Sequence, residues 1–428
     1  MTEEFLHYIW QFRNFDNSGL KAHTGESIEI IKTGDHNHNS GPDFFNAIVK
    51  IGETVWAGNV EIHINSSDWE KHNHSVDKAY NNVVLHVVYN DDCIVSRTTG
   101  EVIPAIELKD RINQSTFSCY TDLIKSSQWI SCSQSIKDVD EFIISNWLGR
   151  LLIERLEKKA ESIINSLQLT QNNWQETFYL HLARNFGFKL NAEPFELLAK
   201  SLPLACLGKH RDSIEQIEAL IFGQAGMLNA SFEEEYPIQL QKEYNYLKQK
   251  YNLKPIDSHL WKFMRLRPVS FPTIRLSQFA NLIHHSQNMF VKILECSSLK
   301  EYYELFNIST SLYWESHYTF RKQSKMTKKP LGKTSIDGIL INTIAPFLFV
   351  YGIQKQDDTY KERALELLES IEGENNNIIK KWNEIGIISR SAFQSQALLE
   401  LKKNYCDSKK CLKCSIGNNL LKRQVSQE

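Results

Sequence analysis

The sequence lacks the features that mark secreted proteins, membrane proteins and general nucleic-acid binders. Its 49 Lys and Arg residues nearly balance 51 Asp and Glu residues, so the formal net charge is −2. So small a charge predicts no broad attraction to nucleic acid or to a membrane surface, and any anion-binding site must be a local patch. No run approaches the ~18 consecutive apolar residues of a membrane span, and the first twelve residues show no signal-like pattern. We therefore expect a cytoplasmic protein without membrane contact.

Cysteine is scarce, with eight in 428 residues. Apart from a trio near the C-terminus the cysteines are scattered, which argues against the disulfide framework of a small secreted domain. The chain is long enough for two or three domains with a sizeable core.

The spacing of apolar residues divides the chain into a sheet part and a helical part. A helix is predicted over residues 2–14, and a short helix over about 68–80 separates the third strand from the fourth. From about Val139 the apolar residues follow helical spacing instead. We therefore predict an α+β protein, with an N-terminal α/β mixed-sheet domain over residues 1–130 and a large all-helical domain over residues 131–428.

The predicted elements have these bounds. β-branched runs with partial alternation predict strands over residues 27–32, 44–51, 54–64, 83–89 and 103–108. Helical spacing recurs over residues 174–187, 193–201, 212–228, 235–251, 275–295, 360–371 and 391–404. The basic stretch Lys322–Lys333 contains helix breakers and is predicted to be a mobile loop.

Residues 34–91 stand out because they hold six of the fourteen histidines, interspersed with acids. Imidazole and carboxylate are the ligand types that suit Mg, Mn, Fe and Zn. The histidines are His36, His38, His63, His72, His74 and His86, and the acids are Asp43, Glu61, Asp68 and Asp77.

Asp43, Glu61 and His63 have the spacing that best fits a metal site. Glu61 and His63 are two residues apart on a predicted strand, so their side chains project from the same face. A hairpin would bring Asp43, at the start of the preceding strand, alongside them. Two carboxylates can hold a divalent ion, which polarises a phosphoryl oxygen and lowers the pKa of bound water. Asp43 and Glu61 are therefore our candidate metal ligands, and together with His63 our candidate catalytic residues.

The pattern Pro42-Asp43 followed by Glu61-Ile62-His63 resembles the core of PD-(D/E)XK nucleases. The resemblance implies a restriction-endonuclease-like N-terminal domain, Mg or Mn as cofactor, and DNA or RNA as substrate. His63 stands where that core has lysine, and would orient the attacking water or bind the metal. Glu107-Leu108-Lys109 has the right residue types further along the chain, which makes Lys109 a secondary candidate.

The other polar residues of this stretch have two interpretations. As secondary candidates they would bind metal or support its ligands: His72, His74, Asp77 and His86. As structural residues they are ordinary, because a surface histidine or a histidine in an apolar strand is more often not a ligand. Asp43 could likewise cap a turn after Gly-Pro.

Three cysteines near the C-terminus, Cys406, Cys411 and Cys414, have the spacing C-x4-C-x2-C. Three thiolates this close can bind Zn or an iron–sulfur cluster, but a closed site needs a fourth ligand. The candidates for that ligand are, in order, Cys132, Cys119 and Cys93. Without a fourth ligand the trio would be reduced structural or redox thiols.

Arg265, Arg267 and Arg275 could contact phosphates, since guanidinium offers a planar fork suited to them. The structural alternative is that a buried arginine satisfies loop carbonyls in a helix-rich domain.

Several sequence blocks together resemble the bacterial family catalogued as domain of unknown function 2851. In chain order they are GPDF, WAGNVEIH, SSDW, LHVV, FGQAG, RLRP, FPTIR and CLKCSIG. The resemblance implies kinship and a cytosolic bacterial setting, but no activity.

The leading hypothesis is therefore a divalent-metal-dependent nuclease. The alternative is a non-catalytic scaffold that binds nucleic acid or protein and carries a structural metal site. A third hypothesis is a metal or small-molecule enzyme in which His72, His74 and His86 are the ligands.

Overall fold

A computed structural model describes residues 1–425 as a mixed α+β protein with two compact units. The first unit consists of residues 1–147 and 385–387 and of the C-terminal segment from Glu400; the second consists of residues 148–384 and 388–399. The predicted class, a mixed sheet followed by many helices, is confirmed.

The regular elements of the described residues have the following bounds. The helices are α1 Glu3–Gln11, α2 Asp68–Lys71, α3 Gln114–Lys125, α4 Glu141–Leu169, α5 Trp174–Phe186, α6 Phe188–Ser201, α7 Leu204–Gly208, α8 Ile214–Gln224, α9 Glu235–Tyr251, α10 Pro272–His285, α11 Met289–Glu295, α12 Leu299–Leu305, α13 Leu312–Glu315, α14 Lys333–Ile339, α15 Ala345–Lys355, α16 Asp358–Ser370, α17 Asn377–Glu384, α18 Ala392–Leu401 and α19 Ser415–Val425. The strands are β1 Ile28–Lys32, β2 Asp35–His36, β3 Phe44–Ile51, β4 Thr54–Asn65, β5 Val83–Asn90, β6 Ala105–Glu107, β7 His317–Thr319 and β8 Lys322–Gln323.

The sheet of the first unit has the order β1-β3-β4-β5-β6, with β2 paired to β3. β1, β3 and β4 are antiparallel neighbours, whereas β4, β5 and β6 run parallel. Residues 58–63 of β4 and most of β5 are buried, as expected where central strands are covered on both faces, whereas Val55 and Trp56 at the start of β4 are exposed. The five predicted strands are all present, within a few residues of their predicted bounds.

The parallel pairing of β4 and β5 requires a crossover, which residues 66–82 provide. We predicted one helix over about 68–80, but the structure has α2 followed by two 3-10 turns, His74–Val76 and Lys78–Tyr80. Asn73 interrupts the helix because its backbone is left-handed, with φ of 59°. Trp69 is fully buried and fixes this crossover to the unit.

The first unit contains helices from both the N-terminal and the C-terminal segment of the chain. α1 begins after Thr2, whose side chain caps the Phe5 N–H. The C-terminal segment, which we had assigned to the helical part, groups with the sheet. Its Leu412 and Leu421 are buried in the same core as the residues of α1 and β3, and α19 packs on α3.

The second unit is helical, and it departs from the predictions in three places. The predicted helix over 275–295 breaks between α10 and α11, where Asn288 has a left-handed backbone. The predicted mobile loop Lys322–Lys333 contains β8, and the buried Lys329 donates from Nζ to the Glu315 carbonyl. The helical run Lys333–Lys355 was missed.

The missed run consists of α14, a π-helical turn at Leu340–Ile344, and α15. Within residues 1–425 it is the one helix that is long and apolar enough to cross a membrane, with a mean hydropathy of 1.7 over its most apolar window. That window is 72% buried inside the structure, which is typical of a core helix.

Candidate functional site

The hairpin of β3 and β4 brings Asp43 and Glu61 together. Phe44 pairs with Val60, so Asp43 lies just before the start of β3 and opposite Glu61. The Asp43 N–H donates to Glu61 Oε2 at 3.1 Å, and Asp43 Oδ2 accepts the Ile62 N–H at 2.9 Å. The two carboxylates are therefore fixed by the backbone of the opposite strand.

Three imidazoles converge beside Glu61. One ring nitrogen from each of His63, His72 and His74 lies within 4.8 Å of the other two. His63 Nε2 is 3.1 Å from His72 Nδ1. Glu61 Oε1 is 3.6 Å from His63 Nε2 and 3.3 Å from His74 Nε2. Tetrahedral ligands of a zinc ion, with Zn–N of about 2.1 Å, lie roughly 3.4 Å apart, so these separations fit a single ion.

The elements around the cluster explain this convergence. Glu61 and His63 share one face of β4, and the α2 crossover returns His72 and His74 over that face. His63 and Glu61 are buried, with 1% and 5% of their surfaces exposed, whereas His72 is exposed. Solvent therefore reaches the cluster on the His72 side.

A second layer of side chains supports the ligands. His86 is fully buried on β5, and its Nε2 lies 2.8 Å from His63 Nδ1. If His63 Nε2 were to bind a metal, its Nδ1 would carry the proton and would donate a hydrogen bond to His86 Nε2. Tyr80 stacks on His74 with ring centroids 3.7 Å apart, and Trp69 meets the same ring edge-on.

Burial sets the charge of these groups. It lowers the pKa of His63 to about 2 and that of His86 to about 3, so both rings are neutral, the form that binds metal. Burial raises the pKa of Glu61 to about 7, and the hydrogen bond with His74 partly opposes this rise. A bound cation would favour the ionised form of the Glu61 carboxyl.

His7 is a member of the site that we did not predict. Its Nε2 lies 3.2 Å from Asp43 Oδ2. Burial alone would lower the pKa of His7, but the hydrogen bond and the charge of Asp43 raise it above its usual value. The amphipathic pattern of α1 could have shown that His7 lies near the buried face, but not that it faces Asp43.

Two secondary candidates are not brought to the cluster. Asp77 is exposed and accepts the Ala79 N–H at 2.9 Å, so it caps a 3-10 turn. Lys109 is exposed beyond the end of β6, two strands away from β4 in the sheet. Lysine therefore does not replace His63 here.

The three arginines do not form a common phosphate-binding surface. Arg265 and Arg267 are exposed, whereas Arg275 is buried. Arg275 donates to Gln278 Oε1 at 3.0 Å and to Ser335 Oγ at 2.9 Å, and its guanidinium lies over the Phe188 ring. Its environment matches the structural interpretation.

The four leading cysteines do come together. Cys132, Cys406, Cys411 and Cys414 line one pocket of the first unit. Cys119 is partly buried nearby but does not line this pocket. Burial and neighbouring cysteines raise the pKa of Cys132 to about 12, so its thiol is protonated when nothing is bound.

Comparison with curated proteins and with solved structures gives no match. A family model matches residues 3–377, which include both strands that carry the histidine site and end before the C-terminal cysteines. The chain belongs to the family described as "Protein of unknown function (DUF2851)".

Proposed function

We propose that this protein is a metal-dependent hydrolase whose metal is held by His63, His72, His74 and Glu61. The observation that carries the proposal is the convergence of three imidazole nitrogens, all within 4.8 Å of one another, beside a buried carboxylate. Two neutral imidazoles can share a hydrogen bond, as His63 and His72 do, whereas a shared ion would use the nitrogens of all three histidines.

The ligand set revises the expected cofactor. Mg prefers oxygen ligands, whereas imidazole nitrogens suit Zn and Fe. Three histidines with one carboxylate therefore favour Zn or Fe over Mg, with Mn between them. Asp43 contributes indirectly, because its N–H fixes Glu61 Oε2 and leaves Oε1 directed at the histidines.

The arrangement supports hydrolysis through a metal-activated water. A divalent ion bound to histidines lowers the pKa of its water to near neutrality. Glu61 Oε1 lies 3.6 Å from His63 Nε2 and 3.3 Å from His74 Nε2, so its carboxylate would be placed to accept a proton from water at the metal-binding position. The exposed His72 marks the side from which substrate enters.

Phosphodiesters of nucleic acid are the substrate class that we propose. The support is topological: a helix, an antiparallel strand pair with Asp43 just before the first strand and Glu61 on the second, and a parallel strand after a crossover follow the order expected of a PD-(D/E)XK core. A further support is the His7 imidazole beside the two carboxylates, since the hydrogen bond and charge of Asp43 raise its pKa and so favour its cationic form.

The test is cleavage of single- and double-stranded DNA and RNA, and of a small aryl phosphodiester, by the full chain with Zn, Mn, Fe or Mg. We expect cleavage with Zn, Fe or Mn, and a loss of about 100-fold or more in Glu61→Gln and His72→Ala. His38→Ala is the matched control, because His38 lies in the same stretch and is exposed but is not one of the converging ligands. Equal rates in wild type and His72→Ala would contradict the proposal.

A non-catalytic scaffold is the second candidate. The observation that favours it is that Asp43 Oδ2 is already occupied by the Ile62 N–H and faces His7. In that case the metal stabilises the crossover and no substrate is turned over. Metal binding that depends on His72 and His74 without any cleavage would support the scaffold and overturn the hydrolase.

A further inference from the structure

Four cysteines from distant parts of the sequence surround a pocket that the histidine site does not use. Cys132 follows α3, whereas Cys406, Cys411 and Cys414 come from the C-terminal segment, and all four belong to the first unit. Leu123 and Tyr405 also line this pocket.

The four sulfur atoms do not converge as closely as the histidine nitrogens do. Within residues 1–425, the histidine triad is the one group of three His, Cys, Asp or Glu residues whose ligand atoms all lie within 4.8 Å of one another. No three of the four cysteine sulfurs are therefore that close. A single zinc ion with Zn–S of about 2.3 Å would hold its sulfurs roughly 3.8 Å apart. In a four-iron cluster each thiolate binds a different iron, so the sulfurs stand further apart.

The surroundings of the sulfurs fit bound thiolates. The N–H groups of Ile416 and Gly417, at the start of α19, donate to the Cys414 sulfur, and the Ser131 side chain bonds to that of Cys411. Such hydrogen bonds to ligand sulfurs tune metal centres. Gly417 also allows α19 to approach the cysteine loop, because a Cβ there would lie 2.2 Å from the Cys411 carbonyl oxygen.

We propose that Cys132, Cys406, Cys411 and Cys414 bind one [4Fe–4S] cluster. The cluster would join the C-terminal segment to the end of α3. Two contacts already connect these parts of the chain. Lys409 Nζ donates to the Ile124 carbonyl oxygen at 2.6 Å, and Leu421 of the C-terminal segment lies in the core of the unit. The cluster thus has a structural role that is independent of the proposed hydrolysis.

The test is analysis of iron, acid-labile sulfide and zinc in the full chain purified without oxygen. We expect about four iron and four sulfide ions per chain, with broad visible absorption that bleaches on reduction by dithionite. Cys132→Ser should lose most of the iron and expose the C-terminal segment to limited proteolysis.

Cys119→Ser and Cys93→Ser are the matched controls, because neither residue lines the pocket. Both should keep wild-type iron and sulfide. About one zinc ion per chain without sulfide, lost in Cys132→Ser, would overturn the cluster in favour of a zinc site. A metal-free, stable wild type, or wild-type iron in Cys132→Ser, would overturn the four-cysteine site altogether.

Discussion

Glu61 connects the two parts of the histidine site at the scale of single residues. Its Oε2 accepts the Asp43 N–H, and its Oε1 faces both His63 and His74. Its carboxyl is 5% exposed, so its position is determined by these contacts and not by solvent. Replacing it changes both the ligand set and the end of the β3–β4 hairpin.

The support that His86 gives to His63 leads to a prediction. His86→Phe keeps a buried ring but removes the nitrogen that lies 2.8 Å from His63 Nδ1. We expect zinc affinity to fall about 10–100-fold, as for other supporting residues of metal ligands. The measurement is competition for zinc against a chelating dye, with His38→Phe as the control that keeps wild-type affinity. Unchanged affinity in His86→Phe would show that His63 Nε2 is not a ligand.

A buried acid in the second unit predicts how stability depends on pH. Glu218 is 1% exposed and accepts hydrogen bonds from Tyr236, Ser277 and Ser311. Burial raises its pKa from 4.5 to about 7, although these hydrogen bonds oppose the rise. The folded state therefore holds the proton more tightly, and the stabilisation it gives is complete below pH 4.5 and is lost as pH rises to about 7.

Urea unfolding of wild type and Glu218→Gln at pH 5 and pH 8 tests this sign. Between these pH values wild type should lose about 2 kcal/mol of stability relative to the variant, which cannot titrate at this position. A difference between the two proteins that does not change with pH would contradict the raised pKa.

Residue spacing in the sequence was sufficient to predict one part of the histidine site, the pair on β4. Glu61 and His63 were paired correctly because the strand period of two is strict. The contributions of His72 and His74 depend on how the crossover folds back over β4, and that of His7 on which residue α1 faces. Local periodicity determines neither the fold of the crossover nor the residue that α1 faces. The contact partners of His72, His74 and His7 could therefore not be predicted from the sequence.

At the scale of elements, the crossover between β4 and β5 is the decisive feature. A continuous helix would not turn both His72 and His74 toward the sheet. The left-handed backbone of Asn73, which lies between these two histidines, interrupts the helix. The strands were predictable because β-branched runs and turn residues delimit them. The Lys333–Lys355 helix was missed because most of its apolar window is buried, so apolar residues occur on more than one face and obscure the helical periodicity.

The close approach of α19 to the cysteine loop gives a prediction at this scale. Gly417→Ala would place a Cβ 2.2 Å from the Cys411 carbonyl oxygen, so the helix must shift. We expect a loss of about 1–3 kcal/mol and reduced iron content. Gly149→Ala in α4 is the matched control, since nothing lies within 4 Å of its added Cβ and stability should stay the same or rise. Equal effects of the two substitutions would argue against close packing at Gly417.

At the scale of the whole molecule, the two candidate metal sites both belong to the first unit. The spacing of apolar residues was sufficient to predict a sheet part and a helical part. It could not predict that the C-terminal segment groups with the sheet, because that grouping depends on contacts of Leu412 and Leu421 with residues hundreds of positions away. The net charge of −2 agrees with recognition at a local site and not over a broad surface.

Zinc X-ray absorption on the full chain, loaded with one equivalent of Zn, tests the histidine centre most directly. We expect a shell of nitrogen and oxygen at about 2.0–2.1 Å with imidazole scattering, which should be lost in the His72→Ala, His74→Ala double variant and kept in His38→Ala. A shell of sulfur at about 2.3 Å in wild type, or an unchanged nitrogen shell in the double variant, would contradict this expectation.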